Sequence, residues 1–171
     1  MQIRTDPGTS ERHGDGLAVL LVDVDRVRCG IPAADVAELH PVVATVALPG
    51  APAVIDGAVD VRGSVLAVLD LRGRLGLTRR RPLLSDHLVI CRVGERSVAL
   101  RVDRALELVS VHRRYIDEAD HLAGGGHLSG VARLSDGLVL IQDLATFLSD
   151  EEAASLDGAL DDLRPVQDSG R

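Results

Sequence analysis

The chain contains an internal repeat, and this repeat constrains the fold more than any other feature of the sequence. When the two halves of the chain are aligned, residues of similar character lie 69 positions apart in the first part of each half and 73 positions apart further along. The matched pairs are Leu20 with Val89, Ile31 with Leu100, Glu38 with Glu107, Gly57 with Gly130, and Asp70 with Asp143. The extra residues of the longer shift fall in the loop-like stretch 118–127, where an insertion costs little free energy. The sequence therefore predicts a duplicated domain.

The repeated segments are typical of β-strands. Short runs of Val, Leu and Ile are separated by turn signals such as Asp25-Arg26 in the first half and Gly94-Glu95 at the matching place in the second. A single Tyr, a single Phe and no Trp leave the core to aliphatic side chains. These features predict an all-β fold of two small barrels packed side by side, the first over about residues 17–80 and the second over about residues 85–148.

Both ends of the chain differ in character from the repeated part. Residues 1–16 are polar and aperiodic, and we expect a flexible tail there, as we do for residues 165–171. Ser149 followed by Glu152 is typical of a helical capping box. Leucines at helical spacing follow it, so we expect a short amphipathic helix over residues 149–164 that packs against a barrel.

Charge and composition exclude several classes of function. The net charge is −7 and stacking aromatics are nearly absent, which disfavours binding to nucleic acid. The basic run Arg79-Arg80-Arg81 is interpreted as a solvated linker loop. Cys29 and Cys91 have apolar neighbours and no zinc-site spacing, which predicts buried, reduced thiols. No apolar segment is long enough to span a bilayer, so we expect a cytoplasmic protein that does not insert into membranes.

No motif in the sequence points to catalysis or to a cofactor. Gly124-Gly125-Gly126 lacks the Lys-Ser/Thr of a phosphate-binding loop, and no serine lies in a nucleophile elbow. Asp23 and Asp25 alternate along a predicted strand, and His121 and His127 share a glycine-rich loop. Either pair leaves a small metal-dependent enzyme open as an alternative, although the patterns favour a protein without enzymatic activity, metal or cofactor.

An ordered series of short motifs runs through both halves of the chain. The motifs occupy residues 22–32, 36–39, 48–52, 55–57, 61–63 and 68–71 in the first half, and residues 100–104, 106–109, 128–132 and 138–144 in the second. Together they cover about residues 17–150, and in this order they resemble the CheW-like domain of bacterial chemotaxis coupling proteins.

This resemblance carries expectations about fold and function. It implies two SH3-like five-stranded β-barrels side by side, with the predicted short helix after them. It also implies a non-enzymatic adaptor that couples chemoreceptors to the histidine kinase CheA, through the cytoplasmic tip of the receptor and the regulatory domain of the kinase. Such an adaptor is cytoplasmic and is recruited to membrane-associated receptor arrays. The alternative within the family is an adaptor of a pathway for surface motility or developmental signalling.

The resemblance also implies a set of partner-binding residues. Val36, Glu38 and Arg62 match positions that the family uses for coupling, although the sequence alone favours a place in the core for Val36. The family usually has Asn-Leu-Arg-Gly where this chain has Asp60-Val61-Arg62-Gly63. Asp60 therefore joins the expected partner-binding set, as a carboxylate able to pair with Arg62 and to limit its access to a partner.

Overall fold

The computed structural model describes residues 4–5, 16–118 and 127–163, and most of them lie in β-strands. The strands are β1 Arg4–Thr5, β2 Gly16–Val24, β3 Val27–Pro32, β4 Val36–Pro41, β5 Ile55–Val61, β6 Ser64–Asp70, β7 His87–Val93, β8 Arg96–Val102, β9 Arg104–His112, β10 Ile116–Glu118, β11 Leu128–Leu134 and β12 Gly137–Gln142. The helices are α1 Leu71–Arg74 and α2 Asp150–Leu163. The all-β architecture with one short C-terminal helix is confirmed.

The strands form two sheets, and each sheet takes strands from both halves of the chain. Module A is the seven-stranded sheet in the order β1-β9-β2-β3-β12-β11-β10, and module B is the five-stranded sheet in the order β4-β7-β8-β6-β5. The predicted boundary between two contiguous barrels, near residue 80, is therefore wrong. Apart from β1 and β10, the first two strands of each half pair with the last three of the other half, so the chain crosses between modules after β3 and again after β8.

The strand pairing reproduces the repeat of the sequence. Residue pairs of module A recur in module B at the positions that the two shifts predict. Leu20 pairs with Ile31 in module A as Val89 pairs with Leu100 in module B. In the same way, Gly30 pairs with Ile141 as Ala99 pairs with Val68. The last two pairs join parallel strands, β3 with β12 and β6 with β8. Five strands of module A thus have the same topology as module B, which confirms the duplication.

Module A has two additional strands beyond this shared topology. Arg4–Thr5, inside the predicted N-terminal tail, forms β1 and pairs in parallel with β9. The tail prediction is wrong for these two residues, and most of the other tail residues lie outside the described part of the chain. On the opposite edge, β10 pairs with β11. Module B keeps β4 as its edge strand, and beyond its other edge Val46 bridges to Ala58 of β5.

Aliphatic side chains fill three buried clusters. One cluster belongs to module A and includes Val19 and Ile141, and a second belongs to module B and includes Val59 and Leu88. The third and largest contains residues of both modules and of α2, and it buries Phe147. Burying one such side chain fully contributes about 1.5–3 kcal/mol, so the shared cluster holds the two modules together.

The capping box at the start of α2 is confirmed. The Glu152 N–H donates to Ser149 Oγ at 3.1 Å, and the Ser149 N–H donates to Glu152 Oε2 at 2.9 Å. The helix covers Asp150–Leu163, within the predicted range of 149–164, whose last residue lies outside the described part of the chain. Leu156 is fully buried against the shared cluster, which fixes the helix on the body of the protein.

Candidate partner-binding site

A charged cluster on module B contains two of the residues expected from the sequence. Arg62 Nη1 donates to Glu38 Oε1 at 3.2 Å, and His40 Nε2 lies 2.9 Å from Glu38 Oε2. The Arg62 side chain is 75% exposed and that of Glu38 is 38% exposed. An ion pair in such a position contributes at most about 1 kcal/mol, so a partner that offers a carboxylate can displace Glu38 at low cost.

The turn between β5 and β6 holds Arg62 in a fixed position. Arg62 and Gly63 have φ angles of 53° and 82°, which is the geometry of a two-residue type I′ hairpin turn. Asp60 Oδ1 accepts a hydrogen bond of 2.7 Å from the Gly63 N–H. The Asp60 carboxylate therefore stabilises the turn, while the Arg62 side chain reaches across to Glu38.

Val36 lies apart from this cluster because β4 contains a β-bulge. The register shifts between Val36 and Glu38, so Val36 is opposite Cys91 while Glu38 is opposite Ile90. Directly opposed residues share a face of the sheet. Cys91 belongs to the shared cluster and Ile90 to the cluster of module B, so the bulge places Val36 and Glu38 on opposite faces. Val36 is half-buried against the shared cluster.

An ionic network that the sequence interpretation missed lies at the other end of the β5–β6 hairpin from the Arg62 turn. The expectation of a solvated Arg79-Arg80-Arg81 linker is wrong for the first two arginines. The Arg79 guanidinium binds Asp56 and Asp70, and that of Arg80 binds Asp86 and Asp103. The members of this network are Arg72, Arg79, Arg80 and Arg101 with Asp25, Asp56, Asp70, Asp86 and Asp103.

The centre of the network is buried. Arg101, on β8, is 1% exposed and lies 2.6 Å from Asp56, 3.0 Å from Asp70 and 3.3 Å from Asp86. The side chains of Asp70 and Asp86 have no exposed surface. A buried charge is tolerated only when it is paired and hydrogen-bonded, and every one of these groups meets that condition.

Asp103 extends the network from module B to module A. It connects β8 to β9, and its carboxylate accepts hydrogen bonds from two arginines on the module B side, Arg72 at 2.6 Å and Arg80 at 2.7 Å. The Asp25 N–H, in the β2–β3 turn of module A, donates to the same carboxylate at 2.7 Å. The network therefore fixes one of the two places where the chain crosses between modules.

The network lowers the pKa of two carboxyl groups. Burial alone raises the pKa of Asp86, but bonds from Arg80 and from the Leu83 N–H favour the ionised form, and the resulting pKa lies below its ordinary value. Asp103 behaves in the same way: burial raises its pKa, bonds from Arg72 and the Asp25 N–H oppose that effect, and the pKa is lowered.

The alternative metal sites are not supported. Asp25 has a φ of 58° and lies in a turn, so it does not alternate with Asp23 along a strand as predicted. Asp23 instead accepts a hydrogen bond from Arg28 at 3.3 Å. His127 Nδ1 lies 2.6 Å from the Thr146 carbonyl oxygen, and His121 is outside the described residues. Within residues 4–5, 16–118 and 127–163, no three His, Cys, Asp or Glu side chains form a group able to hold a metal ion.

Both cysteines are buried thiols, as the sequence predicts. Burial raises the pKa of the Cys29 thiol to about 12 and also raises that of Cys91. Neither sulfur is therefore a nucleophile at neutral pH. Among the described helices, none has the length and apolar character needed to cross a membrane.

Known proteins resemble this chain in sequence and in fold. The family model of the CheW-like domain matches residues 18–152. "Chemotaxis protein CheW" of Rhizobium meliloti (strain 1021) is 28% identical over 108 residues, which cover 61% of this chain and 70% of that protein. "Probable chemotaxis protein CheW" of Rhizobium etli is 24% identical over 110 residues, with coverage of 63% and 71%.

A solved structure supports the assignment of the fold. The scaffolding protein TtCheW from Thermoanaerobacter tengcongensis superposes with a TM-score of 0.74 at 20% sequence identity, over 80% of this chain and 95% of that one. The expectation of two SH3-like modules is thereby confirmed. Since the family model matches most of the sequence, this chain belongs to the family of CheW-like domains and is a non-enzymatic adaptor protein of chemotaxis.

Proposed function

We propose that this protein couples chemoreceptors to the histidine kinase CheA, and that Arg62 with Glu38 forms its contact with the receptor. The observation that carries the proposal is the exposed, loosely paired Arg62, which a rigid hairpin turn presents on module B. Because the turn fixes the backbone at Arg62 before binding, only the side chain loses conformational entropy when a partner arrives. Arg62 therefore has the properties expected of a binding anchor.

Asp60 and Val36 support this contact indirectly on our proposal. Asp60 holds the turn that carries Arg62, through the Gly63 N–H. Val36 packs against the shared core at the start of β4, beside the bulge that turns Glu38 toward Arg62. A change at either position would then displace the charged pair without removing a direct contact.

The kinase contact on our proposal uses other surfaces than the receptor contact. The regulatory domain of CheA is itself a related two-module domain, so unlike surfaces of the two proteins would meet head to tail, a pattern that builds rings or extended arrays. Each contact is then only moderately strong, since linkage within an array multiplies weak affinities. On this proposal the protein works at the cytoplasmic tip of membrane-bound receptors.

Reconstitution tests this function. Purified kinase and receptor-containing membranes are mixed with and without the protein, and the rate of kinase autophosphorylation is measured. We expect receptor-dependent stimulation only when the protein is present, together with binding to each partner separately in a sedimentation assay. A protein that binds neither partner and leaves the rate unchanged would overturn the proposal.

A further inference from the structure

One arginine joins the start of α2 to module B. Arg74, the last residue of α1, donates from Nη2 to Glu152 Oε2 at 3.0 Å, and its Nη1 lies 3.5 Å from His127 Nε2. The Arg74 side chain is 12% exposed, and its Nε has no hydrogen-bond partner among the residues that the structure describes. Loss of a further contact is costly for a guanidinium group that is largely buried and already has one unpaired N–H.

The two contacts of the His127 ring are compatible with a single protonation state. Nδ1 lies 2.6 Å from the Thr146 carbonyl oxygen, which can only accept a hydrogen bond, so Nδ1 carries a proton. Nε2 faces Arg74, which can only donate, so Nε2 has to present its lone pair. Together the contacts assign the neutral ring with its proton on Nδ1. A second proton, on Nε2, would point at the Arg74 guanidinium and place another positive charge beside it.

Two acidic residues also lie near His127. The Asp143 N–H donates to the His127 carbonyl oxygen at 2.8 Å, while the Asp143 carboxylate caps the short turn that follows β12. Burial raises the pKa of Glu152, but bonds from the Ser149 N–H and from Arg74 oppose that effect, and the pKa is lowered. Glu152 therefore remains ionised well below neutral pH. Histidine is the side chain that changes charge between about pH 8 and pH 5, so an acid effect in that range at this place reports on His127.

We propose that protonation of His127 loosens the attachment of α2. The neutral ring connects Arg74 on module B to the Thr146 carbonyl oxygen shortly before α2, and so holds the start of the helix in place. Protonation replaces the contact with Arg74 by a repulsion between two cations and leaves a second N–H of the guanidinium unpaired. The helix then opens more often, which uncovers the part of the shared cluster around Leu156. The inference is independent of the coupling function proposed above.

Hydrogen exchange of the α2 amide groups in the full chain tests this inference. Exchange is measured at about pH 7.5 and about pH 5.5, corrected for the intrinsic effect of pH, in wild type and in His127→Asn. The asparagine amide can still donate to the Thr146 carbonyl oxygen but does not titrate. We expect acidification to lower the protection of α2 about tenfold more in wild type than in His127→Asn, the size of one lost hydrogen bond to a charged group. An equal fall in both proteins would overturn the inference.

A second variant separates the clash of charges from a general weakening of the helix. Arg74→Gln removes the cation and supplies an amide oxygen that can accept a hydrogen bond from the protonated ring. Its α2 should be less protected than that of wild type at about pH 7.5, because Glu152 loses its partner, but acidification should lower the protection no more than in His127→Asn. A pH effect as large as that of wild type in Arg74→Gln would overturn the inference. So would a loss of protection in wild type that is spread evenly over the strands of both modules.

Discussion

Modules A and B share a five-strand topology but differ in their charged residues. The residues that the repeat matches in both modules are largely apolar, or are glycines at bulges. Asp70 matches Asp143, but other residues that build the ionic network lack counterparts: Pro32 occupies in module A the position of Arg101 in module B, and Ala34 that of Asp103. Strand pairing thus depends on the shared pattern, whereas charge gives module B its particular surface.

The candidate partner-binding site shows the same asymmetry. Glu38 has the counterpart Glu107, but Ser135 occupies the position equivalent to Arg62. The two hairpin turns are alike in place and length, and only that of module B displays a guanidinium group. The comparison teaches that a duplicated scaffold can carry a single coupling site, because function depends on a few side chains that the fold does not require.

The largest effect is expected from breaking the centre of the ionic network. Arg101→Ala leaves the buried carboxylates of Asp70 and Asp86 without their main partner. Uncompensated buried charges of this kind cost about 3–5 kcal/mol, measured as the loss in free energy of unfolding in urea. Arg28→Ala, which removes a partly exposed ion pair with Asp23 and an exposed one with Asp136, should cost no more than about 1 kcal/mol. Equal losses in the two variants would contradict the network's importance.

A second prediction tests whether the modules are equivalent at their bulges. A Cβ added to Gly57 would collide with the Val46 carbonyl oxygen, and one added to Gly130 would lie 2.6 Å from the Asp117 carbonyl oxygen. Either alanine variant should therefore lower the free energy of unfolding by about 1–3 kcal/mol, with Gly57→Ala the more affected because its φ is +151°.

The helix α2 provides a control for these glycine variants. Gly158 lies inside α2, and a Cβ there would meet nothing within 4 Å. Gly158→Ala should raise stability by up to about 1 kcal/mol, since alanine favours the helix. If Gly130→Ala were as harmless as Gly158→Ala, the equivalence of the two bulges would fail.

A third prediction concerns the stability of the protein at acidic pH. Asp86 and Asp103 have pKa values below the ordinary value of 3.8, so the stability that they contribute is complete above that pH and is lost as the pH falls through the lowered values. Asp103→Asn should therefore be less stable than wild type at neutral pH, and the difference should shrink in acid. Urea unfolding at a series of pH values measures this.

Asp117→Asn is the matched control from module A for the acid series. Its carboxylate pairs with Arg133, and both side chains are more than half exposed. Its difference from wild type should be small at every pH because exposed pairs contribute little. A constant difference between Asp103→Asn and wild type across the acid range would contradict the assignment of acid sensitivity to the network.

Much of the local structure could be predicted from the sequence, because its signals are local. The turns at residues 25–26 and 94–95 and the capping box at Ser149 follow from the types of a few neighbouring residues. The aliphatic core follows from the near absence of aromatic side chains. The repeat even predicted the order of strands in each half, since equivalent segments have equivalent patterns.

Features that depend on partners distant in the sequence could not be predicted. Each strand could pair within its own half or with the other half, because equivalent strands have the same local pattern, so the sequence does not reveal that the halves exchange strands. The network joins Arg101 to Asp56, which are 45 positions apart, and no spacing rule links them. The separation of Val36 from Glu38 depends on a bulge that alternation along β4 does not reveal.

The central claim is that coupling depends on the charged side chain that module B has and module A lacks. The most direct test compares Arg62→Glu with the equivalent Ser135→Glu in receptor-dependent stimulation of the kinase. Both positions are in hairpin turns, and Arg62 is 75% exposed, so stability should change by no more than about 1 kcal/mol in the Arg62 variant. We predict a sharp loss of stimulation with Arg62→Glu and normal stimulation with Ser135→Glu. Equal stimulation by the two variants would contradict the claim.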